Sequence, residues 1–212
     1  MIQAIIFDMD GTLIDTERYY MQFWIQVMSD QGFELSYADA LRLRGLGKEP
    51  ISRMFDQMYQ DKVDYDSVKN EVNKRMAKEI KENGVPIKAG CHTLQNLKNQ
   101  GYKLAVATST EYEKACTLLE AVGIKDVFGR IISGEAVERG KPYPDIYLYA
   151  CDQIGAAPKS CVAVEDAPNG VLSAARAGCK VVMIPDLSEP DSELEQVLYA
   201  KVASLEELYK LF

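Results

Sequence analysis

Short apolar runs alternate with helical repeats along most of this chain, and one long stretch breaks the alternation. Ala4-Ile5-Ile6-Phe7 is an unbroken apolar run, so residues 2–8 read as a strand buried on both faces. From residue 16 to residue 83 only helical spacings occur. Tyr20, Phe23, Trp24, Val27 and Met28 fall on one helix face, with Asp15 or Thr16 placed to cap it. Ser36 and Asp39 fit a capping box that opens a second, short helix. Ile51, Met54, Phe55, Met58 and Tyr59 repeat at helical spacing, as do Val68, Val72, Met76 and Ile80. The segment offers no strand candidate, so it is expected to form a small helical bundle inserted after the first strand.

From about residue 84 the pattern changes again. A helix over 91–100, carrying Leu94 and Leu97, stops at Gly101, and the strand Lys103-Leu104-Ala105-Val106-Ala107 follows. A helix with Ala115, Leu118, Leu119 and Val122 stops at Gly123, before a strand near Arg130-Ile131-Ile132. Then come a helix over 145–154, the strand Cys161-Val162-Ala163-Val164, a helix over 168–177 ending at Gly178, and a strand over 180–184. Strands alternating with helices imply a parallel sheet with right-handed crossovers. The expected division is an α/β core from residues 1–15 and 84–212, with residues 16–83 set apart. Asp15–Glu17 and Asn83–Pro86 are the hinge candidates.

Composition narrows the partners. The 212 residues suffice for one large domain or two small ones. The 32 acidic residues outnumber the 24 basic ones, for a net charge of −8, which argues against nucleic acid as a partner. A small phosphorylated substrate held by local lysines and a metal remains compatible. No stretch approaches the roughly 18 apolar residues of a membrane span, and residue 1 onward shows no basic region followed by an apolar core, so a secretion signal is not expected there. Cys91, Cys116, Cys151, Cys161 and Cys179 are odd in number and form no C-x-x-C pair. They read as reduced thiols, and the chain as cytoplasmic. His92, the only histidine, reads as a satisfied or solvent-facing residue.

The polar clusters beyond the strand ends carry the chemistry. Asp8-Met9-Asp10-Gly11-Thr12 follows the first strand, and two carboxylates two residues apart face the same way there. Such a segment also suits a plain turn or part of a calcium loop. Its place after a strand favours chemistry, because ligands of parallel α/β sheets sit beyond the strands' carboxyl ends. One carboxylate can attack phosphorus while the other moves a proton. Thr108-Ser109-Thr110 follows another strand with hydroxyls and amides suited to phosphate oxygens. Lys141-Pro142-Tyr143-Pro144-Asp145 is a stiff loop that would aim Lys141, and Glu165-Asp166 ends a further strand. Asp8, Asp10, Glu165 and Asp166 would converge on one sheet edge. Like charges ~4 Å apart repel by roughly 4 kcal/mol even at an effective dielectric near 20. The group therefore needs a counter-charge, and hard oxygen ligands beside a phosphate favour Mg²⁺.

This order of motifs resembles the haloacid dehalogenase-like superfamily over nearly the whole chain, most closely its β-phosphoglucomutase-like branch. The D-x-D-G-T start, the Thr108-Ser109 pair, the K-P-x-P-D run and the E-D-x-x-x-G segment occur in family order. The resemblance implies a Rossmann-like parallel sheet core with an inserted α-helical cap domain. It also implies roles: Asp8 as nucleophile forming an aspartyl-phosphate, and Asp10 as the acid that becomes the base. Asp8, Asp166, Glu165 and the main-chain carbonyl of Asp10 would hold Mg²⁺. Thr108, the amide of Ser109 and Lys141 would bind the transferring phosphoryl group. Arg44-Gly45-Leu46-Gly47-Lys48 looks like the family's substrate loop, with Arg44, Gly45 and Lys48 as its substrate-binding candidates.

Two departures bear on the outcome. Sugar phosphomutases of this branch carry a cap histidine where this chain has Tyr20, and many relatives place a serine where it has Ala167. The first departure lowers a mutase reading and raises simple hydrolysis. The expected activity is Mg²⁺-dependent hydrolysis of small phosphorylated metabolites, sugar phosphates among them. The alternatives are a β-phosphoglucomutase and a non-catalytic domain that binds a phosphometabolite or a protein partner.

Overall fold

A computed structural model describes residues 1–60 and 62–212. Strand β1 (Ala4–Phe7) leads into four helices: α1 (Glu17–Asp30), α2 (Tyr37–Leu43), α3 (Lys48–Tyr59) and α4 (Tyr65–Asn83). The alternating part then runs α5 (Leu94–Asn99), β2 (Lys103–Thr108), α6 (Tyr112–Ala121), β3 (Arg130–Ser133), α7 (Asp145–Ile154), β4 (Cys161–Glu165), α8 (Pro168–Arg176) and β5 (Lys180–Met183). The chain closes with α9 (Ser192–Glu195), β6 (Leu198–Lys201) and α10 (Leu205–Tyr209).

All pairings in the sheet are parallel, in the order β3-β2-β1-β4-β5-β6. Alternate residues of each central strand face opposite layers, as the pleat requires. Ile5, Phe7, Leu104, Val106, Val162 and Val164 pack on the side of α5, α6 and α10. Ala4, Ile6, Ala105, Ala107, Cys161 and Ala163 pack on the side of α7 and α8. Both faces are thus covered, which explains why β1 and β4 read as unbroken apolar runs.

Helices α1–α4 build a separate apolar cluster around Trp24, Phe55 and Val68. Trp24 packs edge-on against Phe55 with ring centroids 5.6 Å apart. The two chain crossings between this cluster and the sheet are tied together. Asp15 N–H donates to the Pro86 carbonyl at 2.8 Å, and Ile14 pairs with Ile87 in an antiparallel bridge. These are the places where the sequence put its hinge candidates.

The predicted helices and strands are all present, with shifted ends. The strand at 103–107 runs on to Thr108, and the one at 161–164 runs on to Glu165. The helix at 91–100 is a 3₁₀ turn over Cys91–Thr93 followed by α5. Three elements go beyond the sequence reading: α9, β6 and α10. Strand β6 is a short edge strand with half-exposed residues, joined to β5 through a register shift at Val181/Val182. Among the described residues no helix is long and apolar enough to cross a membrane. The five cysteines are free thiols, four of them buried, and His92 lies exposed at the surface.

Candidate active site

Register brings the polar clusters together. Phe7 stands level with Val106 of β2 and Val164 of β4. The residues one step further are Asp8, Ala107 and Glu165, so they share the carboxyl edge of the three central strands. Asp8 N–H still donates to the Val164 carbonyl at 2.9 Å, which holds the first carboxylate on the strand axis. The chain then turns at Gly11 with φ of +91°, where an added Cβ would overlap the Asp166 carboxylate. Only glycine combines that backbone with that approach. At Gly170, one turn into α8, a Cβ would likewise overlap the Glu165 carboxylate. The glycines of the two acidic motifs thus let backbone lie against carboxylates.

Lys141 is fully buried and is the hub of the site. Its Nζ donates to Asp8 Oδ1 at 2.5 Å, to Glu165 Oε1 at 2.6 Å and to the Ala107 carbonyl at 3.1 Å. Burial alone would push its pKa down, but the charges of Asp8 and Glu165 overcome it and lift the pKa above the ordinary lysine value. Lys141 is therefore a fixed cation. Burial pushes the Asp8 carboxyl well above the usual range against the opposing pull of Lys141. Tyr147 of α7 donates to Glu165 Oε1 at 2.5 Å and sits under Lys141, whose Nζ lies 5.3 Å from its ring centroid.

Asp10 is oriented from two directions. Thr16 Oγ1 donates to its Oδ1 at 2.5 Å, and Thr110 Oγ1 donates to its Oδ2 at 2.7 Å. Thr16 does stand at the N-cap of α1, but its side chain makes no capping bond, because the hydroxyl goes to Asp10 instead. Thr108 is buried at the end of β2, and its Oγ1 accepts from the Thr110 amide at 3.0 Å.

The loop after α2 closes over this edge. Arg44 is buried and donates through Nη2 to Asp166 Oδ2 and through Nη1 to Ser188 Oγ. Asn169 Nδ2 holds the Arg44 carbonyl at 2.9 Å, and Ser109 Oγ holds the Gly45 carbonyl at 3.0 Å. Lys48 lies at the exposed rim, paired with Asp66 at 2.7 Å. Arg44 and Lys48, side by side in one short loop, therefore stand in different surroundings: one on an acid of the sheet edge, the other at the surface.

Asp8, Glu165 and Asp166 present ligand oxygens within 4.8 Å of one another, all buried. That is a suitable donor set for a hard divalent cation. Charge agrees. Among the described residues the only cations in contact with Asp8, Asp10, Glu165 and Asp166 are Lys141 and Arg44, and Arg44 is shared with Glu17 and Asp186, so negative charge is in excess when all four acids are ionised. Burial raises the Asp166 carboxyl to about 7, even with Arg44 pulling it down. The residues present fit a magnesium ion. A cavity of about 710 Å³ opens from Asp10 between the helical segment and the core, lined by Tyr20, Arg44, Lys69 and Lys114 among others.

Thr16, Thr110, Tyr147, Asn169, Lys69 and Lys114 join the residues the sequence had singled out. Thr110 had a signal, as the third hydroxyl in Thr108-Ser109-Thr110. Tyr147 and the two lysines lie in helices where only packing brings them to the site.

Comparison with known proteins adds the following. A family model described as haloacid dehalogenase-like hydrolase matches residues 5–184. The phosphorylated carbohydrates phosphatase of Thermotoga maritima is 29% identical over 180 residues, covering 84% of this chain and 82% of that protein. The crystal structure of CbbY from Rhodobacter sphaeroides in complex with phosphate is 28% identical, with a TM-score of 0.79, over 98% of this chain and 96% of that one. The β-phosphoglucomutase of Clostridium difficile shares the fold with a TM-score of 0.82 at 24% identity, over 98% and 93% of the two chains.

Proposed function

This chain belongs to the haloacid dehalogenase-like hydrolases, and from that premise we propose that it hydrolyses phosphate monoesters of small metabolites, phosphorylated sugars first among them. The observation that carries the reading is the meeting of Asp8, Asp10, Lys141, Glu165 and Asp166 at one buried sheet edge. The Thermotoga relative, named for phosphorylated carbohydrates, supports the substrate class.

The chemistry divides among the residues as follows. Asp8 Oδ1 is held by Lys141, which leaves Oδ2 to attack phosphorus. The phosphorus–oxygen bond to the alcohol breaks as the bond to Asp8 forms, and Asp10 gives its proton to the departing oxygen. Asp10 then takes a proton from water, the water oxygen attacks the aspartyl-phosphate, and inorganic phosphate leaves with Asp8 restored. Thr108 and the Ser109 amide bind the oxygens of the moving phosphoryl group, and Lys141 offsets their charge. Arg44, Gly45 and Lys48 belong to the loop that shuts the substrate in. Asp8, Glu165, Asp166 and the Asp10 main-chain carbonyl would hold a magnesium ion, which would supply positive charge to offset that of the phosphoryl oxygens. In this reading residues 16–83 are the cap, and residues 1–15 and 84–212 the catalytic core.

Tyr20, where sugar phosphomutases of this branch carry a histidine, supports water as the final acceptor. Burial, and then the charge of Asp10, push its phenol well above 10. At neutral pH it stays a neutral phenol and adds no second base beside Asp10.

Asp8→Asn is the direct test. The variant keeps its shape, and phosphate release from a panel of phosphomonoesters is expected to fall by ~10³-fold or more, because an amide is a poor nucleophile. Near-normal release by a folded variant overturns the assignment.

A further inference from the structure

Among the described residues, two cations of the cavity have no acidic partner in contact. Arg44 is tied to Asp166, and Lys48 to Asp66. Lys69 of α4 and Lys114 of α6 line the same cavity, and among the described residues neither has a carboxylate oxygen within 4.0 Å. They come instead to one aromatic ring. Lys69 Nζ lies 5.8 Å from the ring centroid of Tyr20, and Lys114 Nζ lies 5.2 Å from it. Lys69 also lies 5.7 Å from the Trp24 ring, and Lys114 donates to Asn73 Oδ1 at 3.0 Å.

We propose that Lys69 and Lys114, which both approach the ring of Tyr20 in the same cavity, form a second anion site, and that the alcohol half of the substrate carries an anionic group of its own. This rests on the phosphomonoester reading and narrows its substrate class. Burial lowers the pKa of both lysines, and the charge of Lys69 adds to the shift on Lys114. Asp10 and Glu111 pull both back up, and Glu17 does the same for Lys69. None of these acids reaches contact. Two partly buried ammonium groups beside one ring repel each other, and a ring face offsets only part of that cost. An anion between them removes it.

Position separates this site from the one for the moving phosphoryl group. Asp8 interacts with Lys141, Glu165 and Asp166. Asp10, the acid that meets the departing oxygen, lines the same cavity as Lys69 and Lys114, and Asp8 does not. An anion held by those lysines therefore lies on the leaving-group side. Helix α4 belongs to the inserted segment and α6 to the sheet's own layers, so the site is complete only when the two parts meet. A carboxylate and a second phosphate both satisfy it.

Substrate pairs that differ in this group give the test. Phosphate release is measured with Mg²⁺ on 2-phosphoglycolate against glycerol 3-phosphate, and on fructose 1,6-bisphosphate against fructose 6-phosphate. p-Nitrophenyl phosphate serves as a generic ester. The wild-type protein is expected to prefer the anionic member of at least one pair by about 10-fold or more in kcat/KM. The first pair reports a carboxylate, the second a phosphate. In the Lys69→Gln/Lys114→Gln double variant that ratio is expected to fall to about 1, with each single variant between. The ratio is independent of the amount of folded enzyme, so partial misfolding does not mimic the result. Turnover of p-nitrophenyl phosphate with no preference in either pair, or a preference that survives in the double variant, overturns the anion site alone. No turnover of any ester overturns the phosphomonoester reading and this inference with it.

Discussion

Asp10 shows how much of the site's control rests on single hydroxyls. In the proposed mechanism this carboxylate alternates between acid and base, so it has to stay aimed at the departing oxygen. Here Thr16 and Thr110 each donate to one of its oxygens, from the start of α1 and from the loop after β2. Hydrogen bonds to a charged group contribute roughly 1.5–3 kcal/mol each. Thr110→Val keeps the side-chain shape and removes the donor, so kcat is expected to fall about 10-fold or more. Thr110→Ser, which keeps the hydroxyl, should recover most of it. The melting temperature separates positioning from folding. A kcat loss shared equally by the Ser and Val variants, or one that merely tracks a lower melting temperature, defeats the positioning role. The D-x-D pair was legible in the sequence because two acids after an apolar run have few structural uses. The hydroxyls that aim Asp10 were not, since Thr16 looks the same whether it caps a helix or serves a carboxylate.

At the level of elements, the loop between α2 and α3 is latched to the core through Arg44, Asn169 and Ser109. Its cation rests on Asp166, one of the three carboxylates grouped closely enough to hold a metal. A divalent ion held there would compete with the guanidinium for Asp166. Arg44→Gln is therefore expected to bind Mn²⁺, followed by electron paramagnetic resonance, about 10-fold more tightly than the wild type. Equal or weaker binding means that Arg44 supports the site rather than competing for it. The helices and strands around this loop were readable because both sheet faces are covered, which makes β1, β2 and β4 continuous apolar runs. Strand β6 was not readable: Leu198-Tyr199-Ala200-Lys201 is short, half-exposed and at the sheet edge. Half of the capping box at Ser36 appears, with its Oγ accepting from the Asp39 amide at 3.1 Å, while the Asp39 carboxylate accepts from the Ser36 hydroxyl. Local chemistry of that kind survives folding, whereas Arg44 on Asp166 joins residues 122 positions apart and leaves no trace in spacing.

Across the whole molecule, the site lies where the strand order turns, with β2 and β3 on one side of β1 and β4 to β6 on the other. The sheet delivers acids from both sides of that point, and the inserted helices bury them. Stability bears the consequence. Burial, more than any neighbouring charge, lifts Asp166 from an ordinary carboxyl value to about 7 and Glu17 to about 8. In the unfolded chain both lose their protons near pH 4. Between about pH 4 and 8 the folded state thus holds protons that the unfolded state has released. Stability then falls as pH rises through that window, the reverse of a salt-bridged acid with a depressed pKa. Added Mg²⁺ needs the deprotonated carboxylates and binds only the folded arrangement, so its stabilisation grows with pH. The melting temperature of metal-free protein, measured in chelator, is expected to drop from pH 5 to pH 8. Excess Mg²⁺ should raise it more at pH 8 than at pH 5. A metal-free melting temperature that stays level or rises across this range would show that the buried acids at the sheet edge are ionised and paired within the protein itself. The divalent ion would then have no charge deficit to fill.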